Sequence, residues 1–256
     1  MKLNKKSLVY FVLLLLLIAA FLYGFYGKVI LHPNAFIFGN HGDGMKNYYT
    51  YAYYIQHNQS YTNFEGMNYP YGENFTYTDC HPLLAFVLKL IHEVFPGIAQ
   101  YSIGLLNLLM IFSIGITAII LYFLFRELKV THLLSVMGAM AITALSPQIF
   151  RLSGHYALSY GFFIPLTIYL LILYEKGKHQ WRIFFLLSVS IFFFFATHAY
   201  LGMIAATLVF TYAVAGIVDK LFRKKKAALA KHFWLVAAAL IPVAFYYLFV
   251  KITDIH

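Results

Sequence analysis

The sequence predicts an all-α, polytopic membrane protein with about seven transmembrane helices and a long first outer loop that contains interfacial helices. Three observations predict it. Hydrophobic residues fill 62% of the 256 positions and the mean hydropathy is +0.73. Charged residues make up only 11%, far below the quarter or so that a soluble domain carries. The apolar residues fall in runs of roughly 20, the length that crosses a bilayer core, and basic residues collect between alternate runs.

The first run, Ser7 to Gly27, follows Lys2, Lys5 and Lys6. It is longer than a signal-peptide core and has no clear small-residue cleavage site, so it reads as a retained helix with a cytoplasmic N-terminus. Residues 28–96 form the first outer loop. Pro33 and the polar run up to Gly44 predict irregular chain. A helix is expected from Gly44 to about His57, with Asp43 as its N-cap, because a carboxylate there accepts from the first free helix amides. Asn58 to Asp79, with Gly66, Pro70 and Gly72, predicts an ordered but irregular stretch. Pro82 to Phe95 is apolar but short, and suits an interfacial helix better than a span.

Six further spans follow: Ile98 to Phe125, His132 to Phe150, Tyr156 to Tyr174, Ile183 to Thr197, Met203 to Val218 and Phe233 to Val250. Arg126, Lys129, Lys176, Lys178, Arg182 and the cluster from Lys220 to Lys231, which includes Lys225 and Lys226, fall on the side of the N-terminus. Of the 19 Lys and Arg residues, only Lys28, Lys46, Lys89, Arg151 and Lys251 fall on the other side. This bias places the N-terminus inside and the first long loop and the C-terminus outside, in a multi-pass protein of the cell membrane. The formal charge of +10 is thus a topology signal, and it predicts no nucleic-acid partner. The single cysteine, Cys80, excludes an intramolecular disulfide.

The candidate chemistry lies in the outer loop and turns. Asp43 is a lone carboxylate between two glycines, ahead of a Tyr-rich run and next to Lys46. It is the candidate catalytic residue. Lys46, His81, Arg151, His155, His198 and Tyr200 are candidate substrate-binding residues, because polar groups at such depth line cavities or bind ligands. Each also has a plainer reading. Asp43 serves as a cap, Arg151, His155, His198 and Tyr200 anchor span ends, and Asp79 to Pro82 starts a helix. Tyr48, Tyr49, Tyr51, Tyr53 and Tyr54 would hold the helix at the headgroup level or stack on sugar. No His-x-x-x-His or Glu-x-x-His pair predicts zinc. Asn58-Gln-Ser60 and Asn74-Phe-Thr76 match the glycosylation sequon, a short pattern often met by chance.

This arrangement resembles the GT-C superfamily of membrane glycosyltransferases. The resemblance rests on one span, an outer loop with an early Asp43 in Gly42-Asp43-Gly44, the helix after it, and His81-Pro82-Leu83 before the next apolar segment. Outer turns with Arg151 and His155 add to it. It implies transfer of a sugar from a polyprenyl-phosphate-linked donor to an acceptor on the outer face, with inversion. Asp43 would be the general base or a ligand to a divalent cation, and Lys46, Arg151 and His155 would neutralise the lipid phosphate. Members of that superfamily are usually longer and often carry a second acidic site after their third span. The whole chain, 1–256, therefore resembles a single N-terminal module, and a partner subunit or a further C-terminal region would complete it. Two other readings stand beside this one: a lipid or solute transporter or flippase, and a non-catalytic membrane subunit. A working site requires Asp43 to converge with Arg151 and His155.

Overall fold

The computed structural model describes residues 5–39, 42–79, 81–177, 179–224 and 229–254. His41, Cys80, Lys178, Lys225, Lys226 and the terminal His256 lie outside the described residues. Nine α-helices run through the described residues: α1 Lys5–Leu31, α2 Gly42–Gln56, α3 Pro82–Val94, α4 Ser102–Glu127, α5 His132–Ala144, α6 Phe163–Glu175, α7 Gln180–Thr197, α8 Ala199–Phe222 and α9 Leu229–Thr253. Short 3-10 turns extend α4 back to Pro96, and α5 and α6 to meet near residues 153–156. Counted with these turns, seven helical segments are long and apolar enough to cross a membrane. They coincide with the seven predicted runs, each reaching a few residues further at one end or both. The fold is therefore all-α, as the apolar runs require.

α4 is the spine of the bundle. It packs against α1, α5 and α6 and touches α2, and 56% of its apolar stretch is buried against 17% for α1. α7, α8 and α9 pack on one another as a second group, with α6 contacting α7 and α8. Pro242 sits inside α9 and is buried there. In a membrane, packed neighbours let a helix keep such a proline.

The two ends of the bundle differ. At one end lie Glu127, Lys176, Glu175 and Lys231, paired as Lys176–Glu127 and Lys231–Glu175. At the other lies the segment from His32 to Phe95, here called the loop end. A short antiparallel ribbon, β1 Asn63–Phe64 with β2 Glu73–Asn74, gives this segment more regular structure than its Gly and Pro content predicts. α3 is a 13-residue helix, too short to span, as expected.

The loop segment is sewn onto the bundle by polar side chains. Asn107, fully buried on α4, donates to the carbonyl oxygens of Pro33 and Phe36, both at 2.8 Å, and accepts from the Tyr48 hydroxyl. Gly104 N–H donates to Asn34 at 2.7 Å, and a side chain at Gly104 would collide with that amide. Tyr51 donates to the Ser102 carbonyl at 3.1 Å, and Gly39 N–H donates to the Tyr156 hydroxyl at 3.0 Å. Such buried polar groups hold a loop in place because leaving any of them unpaired is costly.

These bonds correct one expectation. Tyr48, Tyr51 and Tyr54 recur every third residue, so they share one face of α2, and all three are buried in the bundle. Burial pushes the Tyr48 hydroxyl up from its ordinary range, which keeps it a donor. Of the Tyr run, Tyr49 is exposed and Tyr53 is half-buried. The run is mainly core.

Candidate functional site at the loop end

The site is built around the first turn of α2. Gly42 adopts φ +49°, a conformation that glycine takes without strain. The helix therefore starts at Gly42, and Asp43 is its second residue rather than the expected cap. Gly44 is buried where a Cβ would lie 2.9 Å from the Tyr156 hydroxyl and 2.8 Å from the Gly39 Cα. That close approach draws the turn against the loop between α5 and α6. Asn47, one turn on, donates to the Gly154 carbonyl.

This packing brings Asp43 to His155. Asp43 Oδ2 lies 3.7 Å from His155 Nε2, with 61% and 49% of the two side chains exposed. The pair is thus open to a ligand. Asp43 and Lys46 are three residues apart, hence on one face of the helix. Lys46 donates to Asp79 Oδ2 at 3.1 Å, and Asp79 Oδ1 lies 3.6 Å from His198 Nε2. His198 Nδ1 accepts from the Tyr200 N–H at 3.2 Å, which makes His198 the N-cap of α8. Because Nδ1 is an acceptor, the proton of the neutral ring sits on Nε2, facing Asp79. His198 and Lys46 together hold the Asp79 carboxyl below the usual carboxylate range against the opposing effect of burial.

Asp79 and His81 both adopt left-handed backbone, at φ +58° and +55°. A non-glycine residue there carries local strain that the surrounding structure has to hold. The two strained residues carry the side chains that face the site. His81 is buried at 3% exposure, and its Nε2 lies 2.5 Å from the Tyr160 hydroxyl. Burial pushes its imidazole down to about 4, so the ring is neutral at pH 7.

The structure therefore gathers Asp43, Lys46, His155 and His198 with Asp79, which the sequence placed at a helix start. His81 stands just inside. Arg151 does not join them. Its side chain is exposed and pairs with none of the described carboxylates, because the turn from Pro147 to Ser153 directs His155, not Arg151, to Asp43. Tyr200 is 66% exposed and contributes its backbone N–H and a ring 5.0 Å from that of His198. Among the described residues, no three His, Cys, Asp or Glu side chains gather as a metal-ligand set. Asp43 and His155 alone do not amount to a protein-held cation site. The two sequons are structural: Asn58 Nδ2 donates to Ser60 and Asn63 carbonyls at 2.6 and 2.8 Å, and Asn74 Nδ2 donates to Thr253 Oγ1 at 2.8 Å. Both asparagines are buried in the folded chain.

Seven span-length helices capped by a packed polar segment define a multi-pass membrane protein. The chain belongs to the DUF6311 family, described as a domain of unknown function, whose model matches residues 13–253. Comparisons with curated proteins and with solved structures each returned no match.

Proposed function

We propose that this protein is a membrane glycosyltransferase, or the N-terminal module of one, that moves a sugar from a polyprenyl-phosphate-linked donor to an acceptor at the outer face. One observation carries the reading: two carboxylate–histidine pairs, Asp43–His155 and Asp79–His198, meet on one turn of α2 through Asp43 and Lys46. The charge bias of the sequence supports an outward-facing loop end with the N-terminus in the cytoplasm.

The chemistry follows from the geometry. Asp43 and His155 are both exposed and lie 3.7 Å apart, so an acceptor hydroxyl beside them can lose its proton to Asp43 as it attacks the sugar's anomeric carbon. The donor's lipid phosphate is the leaving group. Lys46 stands one turn from Asp43 and offers a cation to it, while Asp79 fixes the ammonium in place. Asp79, kept ionised by His198 and Lys46, positions Lys46 and does not act as the base.

The test uses the full chain in nanodiscs with undecaprenyl-phosphate-linked hexoses and pentoses and a hydroxyl-bearing cell-envelope extract as acceptor, and measures release of undecaprenyl phosphate together with transfer of the sugar to the extract. The wild-type chain is expected to release it from at least one donor. Asp43→Asn is expected to lower the rate by about 100-fold or more, the usual share of a general base. Full activity in Asp43→Asn would remove that residue's role. Transbilayer movement of an intact donor without release would move the protein to the transporter reading.

A further inference from the structure

At the end of the bundle opposite the polar segment, α1, α4 and α5 pack together around His132, the first residue of α5. The Tyr10 ring of α1 stacks on the His132 ring, with 5.4 Å between centroids and 7° between planes. The Tyr122 hydroxyl of α4 meets His132 Nδ1 at 3.1 Å. These two contacts fix where the nearby cations stand. Lys6 precedes Tyr10 by four residues and Arg126 follows Tyr122 by four, so each lies one turn from a ring that holds His132, on the same helix face. α1 and α4 run antiparallel, with Phe11 against Phe123 and Ile18 against Gly115. Both turns therefore lead toward the same end of the bundle. The Arg126 guanidinium also donates to the carbonyl of Val130, two residues before His132. Lys6 and Arg126 both act on the His132 ring through their charge.

No carboxylate balances this corner. Among the described residues, neither Lys6 nor Arg126 is in an ion pair, and Glu127, next to Arg126, is turned to Lys176 at the end of α6. We propose that this corner binds the headgroup of one anionic phospholipid, with Lys6 and Arg126 flanking its phosphate and His132 Nε2 donating to it. Tyr122 then donates to Nδ1, which puts the proton of the neutral ring on Nε2. An arginine and a lysine without a carboxylate partner suit a phosphate, and each gains from an anion that offsets the repulsion between them. A zwitterionic headgroup brings an ammonium of its own, which the same two cations repel. The corner lies at a span end, at the depth of headgroups. Further along α1 from Tyr10, Leu13 and Leu17 are exposed, where the acyl chains would lie. Free phosphate has no use for that apolar surface, so the occupant is a lipid. On the charge bias of the sequence it comes from the cytoplasmic leaflet. The corner is at the opposite end from Asp43, and its occupancy does not depend on the transferase reading.

The experiment is lipid retention by native mass spectrometry of the full chain, purified in detergent and offered equal amounts of palmitoyl-oleoyl phosphatidylglycerol and phosphatidylethanolamine. The wild-type chain is expected to retain the glycerol lipid over the ethanolamine lipid about tenfold, the share of two basic residues beside an anionic headgroup. Lys6→Gln removes a side chain that makes no hydrogen bond among the described residues, and is expected to lower that preference about three- to fivefold. Adding Arg126→Gln is expected to bring the ratio to about one. Arg182→Gln with Lys224→Gln removes the same charge from exposed positions of α7 and the end of α8, and is expected to leave the preference in place. Equal retention of the two lipids by the wild-type chain overturns the proposal. So does an unchanged preference in Lys6→Gln, or a loss in the Arg182 and Lys224 variant as large as that in the Lys6 and Arg126 variant. Displacement of phosphatidylglycerol by inorganic phosphate, at an ionic strength where chloride does not displace it, would overturn the lipid as the occupant. Where Arg126→Gln does not fold, the wild-type ratio and Lys6→Gln decide the matter. Retention is read without turnover, so its failure leaves the transferase reading standing, and the reverse holds too.

Discussion

At the residue scale, His81 shows how burial sets charge. Its unfolded value is 6.5 and its folded value is about 4, so the unfolded chain binds a proton first as the pH falls. Stability from this group is complete above pH 6.5, declines as the pH drops from 6.5 to 4, and changes no further below that. The span corresponds to about 3 kcal/mol. Thermal unfolding in detergent is expected to show a midpoint that falls between pH 6.5 and 4, and a flatter profile in His81→Asn. An identical slope in the variant would mean that another group titrates there. Asp79 adds a separate loss at lower pH. Its folded value lies below 3.8, so its contribution is present above that value and disappears as the carboxyl is protonated. The sequence made Asp43 and Lys46 visible because they stand in a Gly-Asp-Gly turn without competing charges. Asp79 was harder to read, and His81, a candidate from the sequence, gave no sign there of its burial. Their setting comes from left-handed backbone and from partners on α2, just ahead of α6 and at the cap of α8, and no local pattern encodes partners so far along the chain.

At the element scale, α3 shows why a short apolar helix can be fixed without crossing a membrane. Proline starts it, which suits a first helical turn that needs no donor. Lys89 then points inward at 5% exposure. Its ammonium donates to the Asn58 carbonyl and lies 5.5 Å and 5.2 Å from the Tyr54 and Tyr61 rings. One cation thus ties α3 to α2 and to the loop between them through a charge-assisted bond and two ring faces. Desolvation lowers the Lys89 ammonium from its usual range, and nearby Glu93 and Glu65 oppose that. Lys89→Met keeps the apolar stem and removes the charge. It is expected to destabilise the protein by about 2 kcal/mol, the worth of a bond to a charged group, and to lower the unfolding midpoint by roughly 5 °C. A midpoint equal to wild type would show that the methionine repacks without loss. Composition marked this lysine as an outer charge on a surface helix. Only the packing reveals that it faces inward, because a helix pattern read alone does not say which neighbour covers a given face.

At the scale of the whole molecule, the spans were the most legible feature and the orientation is the property that most needs a measurement. An apolar run of about 20 residues is an unbroken signal, and seven of them survive as helices. The same argument assigns sides. Consecutive spans reverse direction, so the pairs Lys176–Glu127 and Lys231–Glu175 sit at one end while Asp43, Asp79 and His198 sit at the other. Basic residues are retained on the cytoplasmic side, so the loop end is expected to face out. In a chain whose single cysteine is replaced, Cys80→Ser, Tyr69→Cys would place one thiol on the loop segment, where Tyr69 is 91% exposed. Gln180→Cys would place one at the exposed start of α7, at the opposite end. A membrane-impermeant maleimide on intact cells is expected to label the first and to reach the second only after permeabilisation. The reverse pattern would invert the orientation and put the Asp43 site inside, where a donor presented at the outer leaflet could not reach it. Labelling of both on intact cells would mean an even number of crossings between them, so that one of the three span-length segments Pro96–Glu127, His132–Ser153 and Tyr156–Glu175 does not cross.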